Sequence, residues 1–548
     1  MASNTPTREM LATQVLPIST YSMILKTPTP SSMETTEHNT LYLSTLDQNN
    51  VRVYIQTLLL FPFPDGNQME AAITALDQGL KETLKIFPFL AGTLKLAELG
   101  KLRLTYPTQV PDPRAAGIFA IKKVDLGDDF PHTYEELKQQ GMPPSAFMPE
   151  IFCPDDLADK KKYPYMPAHA EGIVDCDKVA VPALRVQANF IPGGLVLSTY
   201  CHHTVMDCSG VNRFWKYYAR EISKISHFQQ DKPRTREGEI QDEELPDRTD
   251  ESEQRRALDR RIRPPPGGTR ADAEAYCKGT YSYDQTLPED TPCSLSYFVI
   301  PYKRMVEYRD KLSRHFPGPQ RLTICNLLAA LVWIHVTRAR AKRLNLACQE
   351  QQTRIGVATD LRRRSHPEHP EVSEEITKSK EYMGNMALFS TGKMKIADIV
   401  TEDCVTERTV VQTIRKIQQT INKVNEDWVL QHLAFFNSIE KIEDTECALG
   451  FKFGLDIYIT SWMNFGGDIE WGIPGTDLSN HGLHGRPDYI RRTYGPSDGG
   501  MMIMPRRRRQ VNGEDAPYEV MIRLASEDME TLTKDEGGLP WWAERIIE

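Results

Sequence analysis

Residues 51–62, VRVYIQTLLLFP, alternate little and are almost wholly apolar, the pattern of a strand buried on both faces. Ala72, Leu76, Leu80, Leu84 and Ile86 then recur at helical spacing, and the proline and glycine of Ile86-Phe87-Pro88-Phe89-Leu90-Ala91-Gly92 stop that helix. Two strands are predicted at 183–190 and 194–202, joined across Ile191-Pro192-Gly193 as a hairpin. A helix follows from Ser209, with Val211, Phe214, Trp215 and Tyr218 facing inward and Lys216, Arg220 and Lys224 left to solvent.

The pattern breaks over 229–279, where both charge signs mix with prolines and large apolar residues are nearly absent. This reads as a solvated crossover between two domains, favoured over a regulatory or partner-binding tail. Beyond it, strands are predicted at 295–299, 354–359, 455–461, 500–504 and 518–524. A strongly apolar helix is predicted over 323–340 with Thr323 as its N-cap, and Ser526 is read as the cap of a last helix. Strands and helices interleave in both halves, so the fold class is α/β.

A chain of 548 residues exceeds what one core supports and predicts two domains of roughly 200–250 residues, with a ligand cleft between them. The net charge of −9 excludes a basic nucleic-acid footprint, and small molecules become the expected partners. No apolar run reaches the about 20 residues that cross a bilayer. The N-terminus, MASNTPTREMLATQVLPIST, lacks the basic start and apolar core of a secretory signal, so a soluble, cytoplasmic protein is expected. Ten cysteines without a CxxC pair predict reduced thiols rather than a disulfide framework.

Candidate chemistry sits directly after the strand 194–202, in His202-His203-Thr204-Val205-Met206-Asp207. HxxxD by itself is weak, since it recurs at His227 with Asp231 and at His484 with Asp488. Those copies fall in the charged crossover and in a Gly/Pro-rich loop, whereas His203 is carried by a strand end. A neutral imidazole suits removal of a hydroxyl proton near pH 7. Asp207 could orient the ring, orient the loop or pair with a distant arginine, and the spacing does not choose among these; two purely structural strand-end histidines are the competing reading. HGLH at 481–484 has no companion ligands and is read as loop, so no metal is expected.

With these segments in view, the chain resembles the BAHD acyltransferase superfamily, in particular its fungal secondary-metabolite branch that includes trichothecene 3-O-acetyltransferases. HHTVMD matches the family HxxxD, and Asp468-Ile469-Glu470-Trp471-Gly472 is similar to DFGWG, with Ile469 and Glu470 departing from it. Leu43-Ser44-Thr45-Leu46-Asp47 is similar to LSxxD, FPFLAGTL to FPxxAGRL, and Asp360-Leu361-Arg362 and Tyr382-Met383-Gly384-Asn385 to DxR and YFGN. Thr460-Ser461-Trp462 precedes the DFGWG-like element as in the family, PRRRR at 505–509 is similar to a run in fungal members, and Cys208 stands where many relatives have glycine.

The resemblance implies two chloramphenicol-acetyltransferase-like domains with mixed sheets flanked by helices, at 1–228 and 280–548, joined by the crossover 229–279, with an active-site channel at their interface. It implies His203 as general base, Asp207 paired with Arg362, Thr460 at the oxyanion, and Asp468, Trp471 and Gly472 shaping the motif loop. Arg506 and Arg507 are candidates for coenzyme A phosphates, with a strand-end solubility role as the alternative. Acyl-CoA would be a co-substrate rather than a bound cofactor, a hydroxylated small molecule the acceptor, and the protein a monomer. Two alternatives stand beside this: a condensation-like or carrier-protein-dependent enzyme of the same fold, and a non-catalytic ligand-binding relative.

Overall fold

The computed structural model describes residues 37–158, 180–230, 251–262, 273–279, 285–317, 321–345, 350–362, 364, 382–400, 404–476, 485–507 and 515–548. Its two large sheets are built from β1 Tyr54–Pro62, β2 Phe119–Lys123, β3 Leu184–Ile191, β4 Gly194–His202, β5 Cys293–Ile300, β6 Gln352–Asp360, β7 Ala387–Lys395, β8 Ile457–Ser461, β9 Tyr489–Arg491, β10 Gly500–Ile503, β11 Tyr518–Ala525 and β12 Arg545–Ile547. The first sheet runs β9-β1-β4-β3-β2 and the second β7-β6-β8-β10-β11-β5-β12. Both are mixed: β2–β3, β6–β8 and β8–β10 are parallel, against antiparallel neighbours such as β1–β4. The main helices are α1 Met69–Ile86, α2 Cys208–Gln230, α3 Glu251–Arg260, α4 Tyr302–Leu312, α5 Ile324–Leu344, α6 Glu407–Asn422, α7 Glu426–Asn437 and α8 Ser526–Lys534.

The hairpin forms as expected. Ile191 pairs with Gly194 across Pro192-Gly193, and Gly193 takes the positive φ of 76° that the turn requires. The predicted stripe of α2 is buried at Val211, Phe214, Trp215 and Tyr218. Thr323 caps α5 by accepting from Asn326 N at 3.1 Å, and α5 is apolar nearly all round because it is enclosed by the second sheet and α6. One expectation fails. Ser526 does not cap α8 through its side chain; the N-cap position falls on Ala525, and the Ser526 hydroxyl instead meets Ser294 Oγ at 2.8 Å.

The second sheet has two apolar faces, as alternation along its strands dictates. Phe298, Ile300, Met501, Ile503, Val520 and Ile522 pack around α5, while the intervening Tyr297, Val299, Met502 and Met521 join the core of the first sheet. The sheets therefore share a buried interface. Strand β9 strengthens it: drawn from the C-terminal half, it pairs with β1 at the edge of the first sheet and sets Ile490 in that core. Its three residues are too few to carry a periodicity, so no pattern predicts it.

Within the stretch expected to run as a solvated crossover, residues Glu251–Arg260 form α3, with Ser252 and Arg255 buried. Residues 231–250 and 263–272 lie outside the described residues. No described helix is long and apolar enough to cross a membrane. The described cysteines are free thiols.

Candidate active site

The end of β4 sends its two histidines to different surroundings, because successive side chains of a strand alternate. His202 is fully buried with its ring edge-on to Tyr54 at 5.3 Å, and its Nδ1 accepts from Thr204 N at 3.3 Å. Burial, with the neighbouring His203 and Arg52, pushes its pKa down to about 3. It is a neutral core residue. His203 is half-buried; its N–H donates to Val53 O at 2.8 Å and its carbonyl accepts from Asn385 Nδ2 at 2.9 Å. The Nδ1 atom is buried without a hydrogen-bond partner among the described residues. Burial lowers the His203 pKa below the ordinary imidazole value, against the opposing pull of its own carbonyl, Asp207 and Asn385.

Asp207 lies at the start of α2 and meets four donors. Arg362 reaches it through Nη1 at 2.8 Å and Nη2 at 3.0 Å, and the N–H groups of Met386 and Gly210 add bonds of 2.9 and 3.1 Å. Burial would raise this carboxyl, but the Arg362 charge and these bonds override it and hold it below its usual range. Arg362 also donates to the carbonyls of Tyr382 at 3.2 Å and Gly384 at 2.7 Å, so the DLR and YMGN segments converge on one guanidinium. The turn is tight: a Cβ on Gly210 would come within 2.2 Å of Met383 O, so the close approach that demands glycine falls there and Cys208 is tolerated.

A second buried carboxylate lies beside the first. Asp47, capped within Ser44–Asp47, accepts from Asn385 N at 2.8 Å and Asn385 Nδ2 at 2.9 Å, and that same amide nitrogen holds the His203 and Thr204 carbonyls. Asp47 and Asn385 belong to motif segments, yet neither was singled out as a site residue. Arg255 was missed altogether. The signal available for it was an apolar pair at helical spacing, Leu258 and Ile262, inside a charged stretch, which anchors α3 to the protein.

The remaining candidates separate. Thr460 on β8 pairs with Met502, and since Ile457 and Ile459 face α5, Thr460 lies on the sheet face turned toward the first core. No hydrogen bond joins it to the His203 cluster among the described residues. Trp471 is fully buried, 6.0 Å from the Phe61 ring and 5.5 Å from Tyr218, and its carbonyl accepts from Ser223 Oγ at 3.2 Å. Gly472, at φ 60°, leaves no room for a Cβ, which would lie 2.6 Å from Ser223 Oγ. The DIEWG loop thus docks on α2, the helix that starts at the His203 turn. Asp468 is exposed on that loop, and Glu470 pairs with Arg486 at 2.6 Å.

Arg507 is engaged by Asp488 at 2.7 Å and by Pro487 O, in a cluster where Tyr134 and Lys138 also reach Asp488. This network fastens the approach to β9 and ties Arg507 to Asp488. Arg506 stacks on Tyr302 and Tyr518 at 4.6 and 4.7 Å and lines a cavity at the start of α5 with Arg309, Arg321, Thr323 and Asn464. His484 and the HGLH stretch lie outside the described residues, as do Arg508 and Arg509.

The Transferase family model matches residues 171–538, and a Trichothecene 3-O-acetyltransferase-like N-terminal domain model matches residues 53–220. The chain belongs to the Transferase family. The chain is similar in its N-terminal part to trichothecene 3-O-acetyltransferase-like proteins. It is 24% identical to the trichothecene 8-O-acetyltransferase of Fusarium sporotrichioides, covering 92% of this chain and 98% of that one, and 23% identical to the trichothecene 3-O-acetyltransferase TRI101 of the same organism, covering 88% and 92%. Its fold is that of Fusarium graminearum TRI101 solved with coenzyme A and deoxynivalenol, with a TM-score of 0.67 at 19% identity over 93% of this chain and 100% of that one. The two-domain chloramphenicol-acetyltransferase-like architecture of this acyltransferase family therefore holds here, its two sheets meeting where the His203 turn lies.

Proposed function

We propose that this protein transfers an acyl group from acyl-CoA to a hydroxyl of a small-molecule natural product, with His203 as general base and no acyl-enzyme. The observation that carries the reading is the His203 turn: a half-buried imidazole kept neutral by burial, on a backbone pinned by Asn385 and by the Asp207–Arg362 pair. A base must be deprotonated and rigidly held, and both conditions are met. His203 Nε2, the nitrogen opposite the buried Nδ1, takes the hydroxyl proton as the oxygen attacks the thioester carbonyl. Collapse of the tetrahedral intermediate breaks the C–S bond, and the proton passes to the departing thiolate, giving ester and free coenzyme A. Thr460 is placed in this scheme to donate to the oxyanion.

The cavity at the start of α5 suits the phosphates of the donor, because Arg309, Arg321 and Arg506 surround a helix N-terminus. Arg506 lines this cavity, where it also pairs with Asp515 at 3.0 Å and donates to the Ala516 carbonyl at 2.7 Å, whereas Arg507 is not among its lining residues. Relatives named as O-acetyltransferases and neighbours solved with coenzyme A support an acyl-CoA donor over a carrier-bound one. The domains are assigned as 1–228 and 280–548, with the crossover between them.

The test is thiol release from acetyl-, malonyl- and longer acyl-CoA, offered with hydroxylated terpenoids, trichothecene alcohols among them, and polyketides. Wild type should release thiol and form ester with at least one pair, and His203→Ala should lose both with its fold unchanged. Binding without thiol release across the panel would overturn the acyl-CoA reading.

A further inference from the structure

Four buried charges surround the His203 turn: Asp47 and Arg255 with no exposure, Asp207 and Arg362 with almost none. Asp207 is matched by Arg362. Among the described residues Asp47 receives neutral hydrogen-bond donors, from Ser44 and Asn385, and buried carboxylates require a cation nearby. Arg255 supplies it, with Nη1 3.7 Å from Asp47 Oδ2. The same guanidinium donates through Nη2 to the carbonyl of Val205, inside the turn that separates His203 from Asp207, at 3.0 Å. It is wedged between the rings of Phe89 and Tyr382 at 5.6 and 5.4 Å, and it lies so close to Gly384 that a Cβ there would meet Nη1 at 2.2 Å.

The helix that carries Arg255 is fastened by polar contacts. Asp259 accepts from Tyr42 Oη at 2.6 Å and Thr45 N at 3.0 Å, and Ser252 Oγ accepts from Tyr42 N at 3.1 Å. These bonds fix α3 to the segment that ends in Asp47.

The geometry points to Arg255 as a positioning residue of the acyl-transfer site: from the crossover it fixes the Val205 carbonyl and neutralises Asp47, and so sets the backbone on which His203 is presented. The crossover is then a working part of the site. This rests on His203 being the base. Lysine keeps the charge but not the planar fork, which reaches a carbonyl and a carboxylate from between two rings, so it can replace the arginine only in part.

The experiment compares Arg255→Gln, Arg255→Lys, the pair Asp47→Asn with Arg255→Gln, and the exposed-face control Arg260→Ala. Thiol release from acetyl-CoA with the fastest alcohol of the panel is measured against pH, and folding is followed by thermal melts. Arg255→Gln should lower kcat by about 10- to 100-fold with the acetyl-CoA KM within about twofold, the size expected for a misplaced catalytic group. The acidic limb of its pH profile should move to higher pH, because the uncompensated Asp47 anion favours the imidazolium, and the pair should bring the limb back. Arg255→Lys should fall between Arg255→Gln and wild type, and Arg260→Ala should match wild type. Wild-type kcat and limb in folded Arg255→Gln overturn the proposal, as does a loss confined to KM. If Arg255→Gln does not fold, wild-type kcat and limb in Arg255→Lys overturn it. His203→Ala assayed alongside separates the two readings: full activity there defeats the base assignment, whereas its loss with normal Arg255 variants defeats only the positioning role.

Discussion

Asp207 and Arg362, 155 positions apart in the chain, face each other fork to fork through bonds of 2.8 and 3.0 Å at the mouth of the His203 turn. The pair ties the start of α2, which belongs to the first sheet's layer, to the end of β6 in the second sheet. Removing one partner leaves a buried charge uncompensated. Asp207→Asn should therefore destabilise the protein by about 3–5 kcal/mol, read as a lower urea midpoint with unchanged m-value, and should depress kcat. A variant as stable as wild type would show the pair to be dispensable.

The pH dependence of turnover follows from burial of His203. Its pKa lies below the ordinary 6.5, so the neutral, base-competent form persists as the pH falls through 6.5 and is lost only below its own lowered pKa. The acidic limb of kcat/KM should accordingly lie below pH 6.5. A limb above that value would mean that a different group is titrating.

Two other histidines make stability, rather than activity, depend on pH. His202 is held down to about 3, and His335, buried in α5 with neither ring nitrogen bonded, to about 4. The unfolded chain takes up these protons at about 6.5 and the folded chain does not, so stability falls as pH drops from 6.5 toward those values. Each group contributes about 1.4 kcal/mol per pH unit within its window. His335→Leu should remove one such share of the slope between pH 6.5 and about 4, measured by urea titrations at several pH values. An unchanged slope would show that His335 is protonated in the fold.

Gly210 is the closest backbone approach in the turn. An alanine methyl there would meet Met383 O at 2.2 Å, and the carbonyls on either side of it, of Tyr382 and Gly384, are held by Arg362, which leaves the segment little freedom to move. Gly210→Ala should cost about 1–3 kcal/mol and lower kcat, whereas Cys208→Ala, one turn edge away, should keep both near wild type. Melting curves and thiol-release rates on the two variants decide it.

The elements that long apolar runs dictate were legible: β1, the β3–β4 hairpin, the stripe of α2 and the buried α5 with its Thr323 cap. Short pieces were not. Strand β9 has three residues and borrows its stability from β1, and α3 is so polar that only Leu258 and Ile262 betray a buried side. Ser526 looked like a cap because serine favours that position, but backbone geometry places Ala525 there and the hydroxyl goes to Ser294. Arg507 stands in a basic run, and its pairing with Asp488, itself the end of a chance HxxxD, was not legible because the two meet only through the fold.

By itself the sequence determined the α/β class, the family motifs and the strand end that carries His203, since these follow from local pattern and from residue type at fixed spacing. The resemblance implied the Asp207–Arg362 pair, but only the tertiary structure decided that Asp47 and Arg255 meet beside it. Asp47, Asp207, Arg255 and Arg362 lie in four separate segments, and each can be buried only where a partner of opposite charge arrives from elsewhere in the chain. No local rule encodes such a meeting, because the cost of burying a charge is set by surroundings that exist only after the sheets have packed.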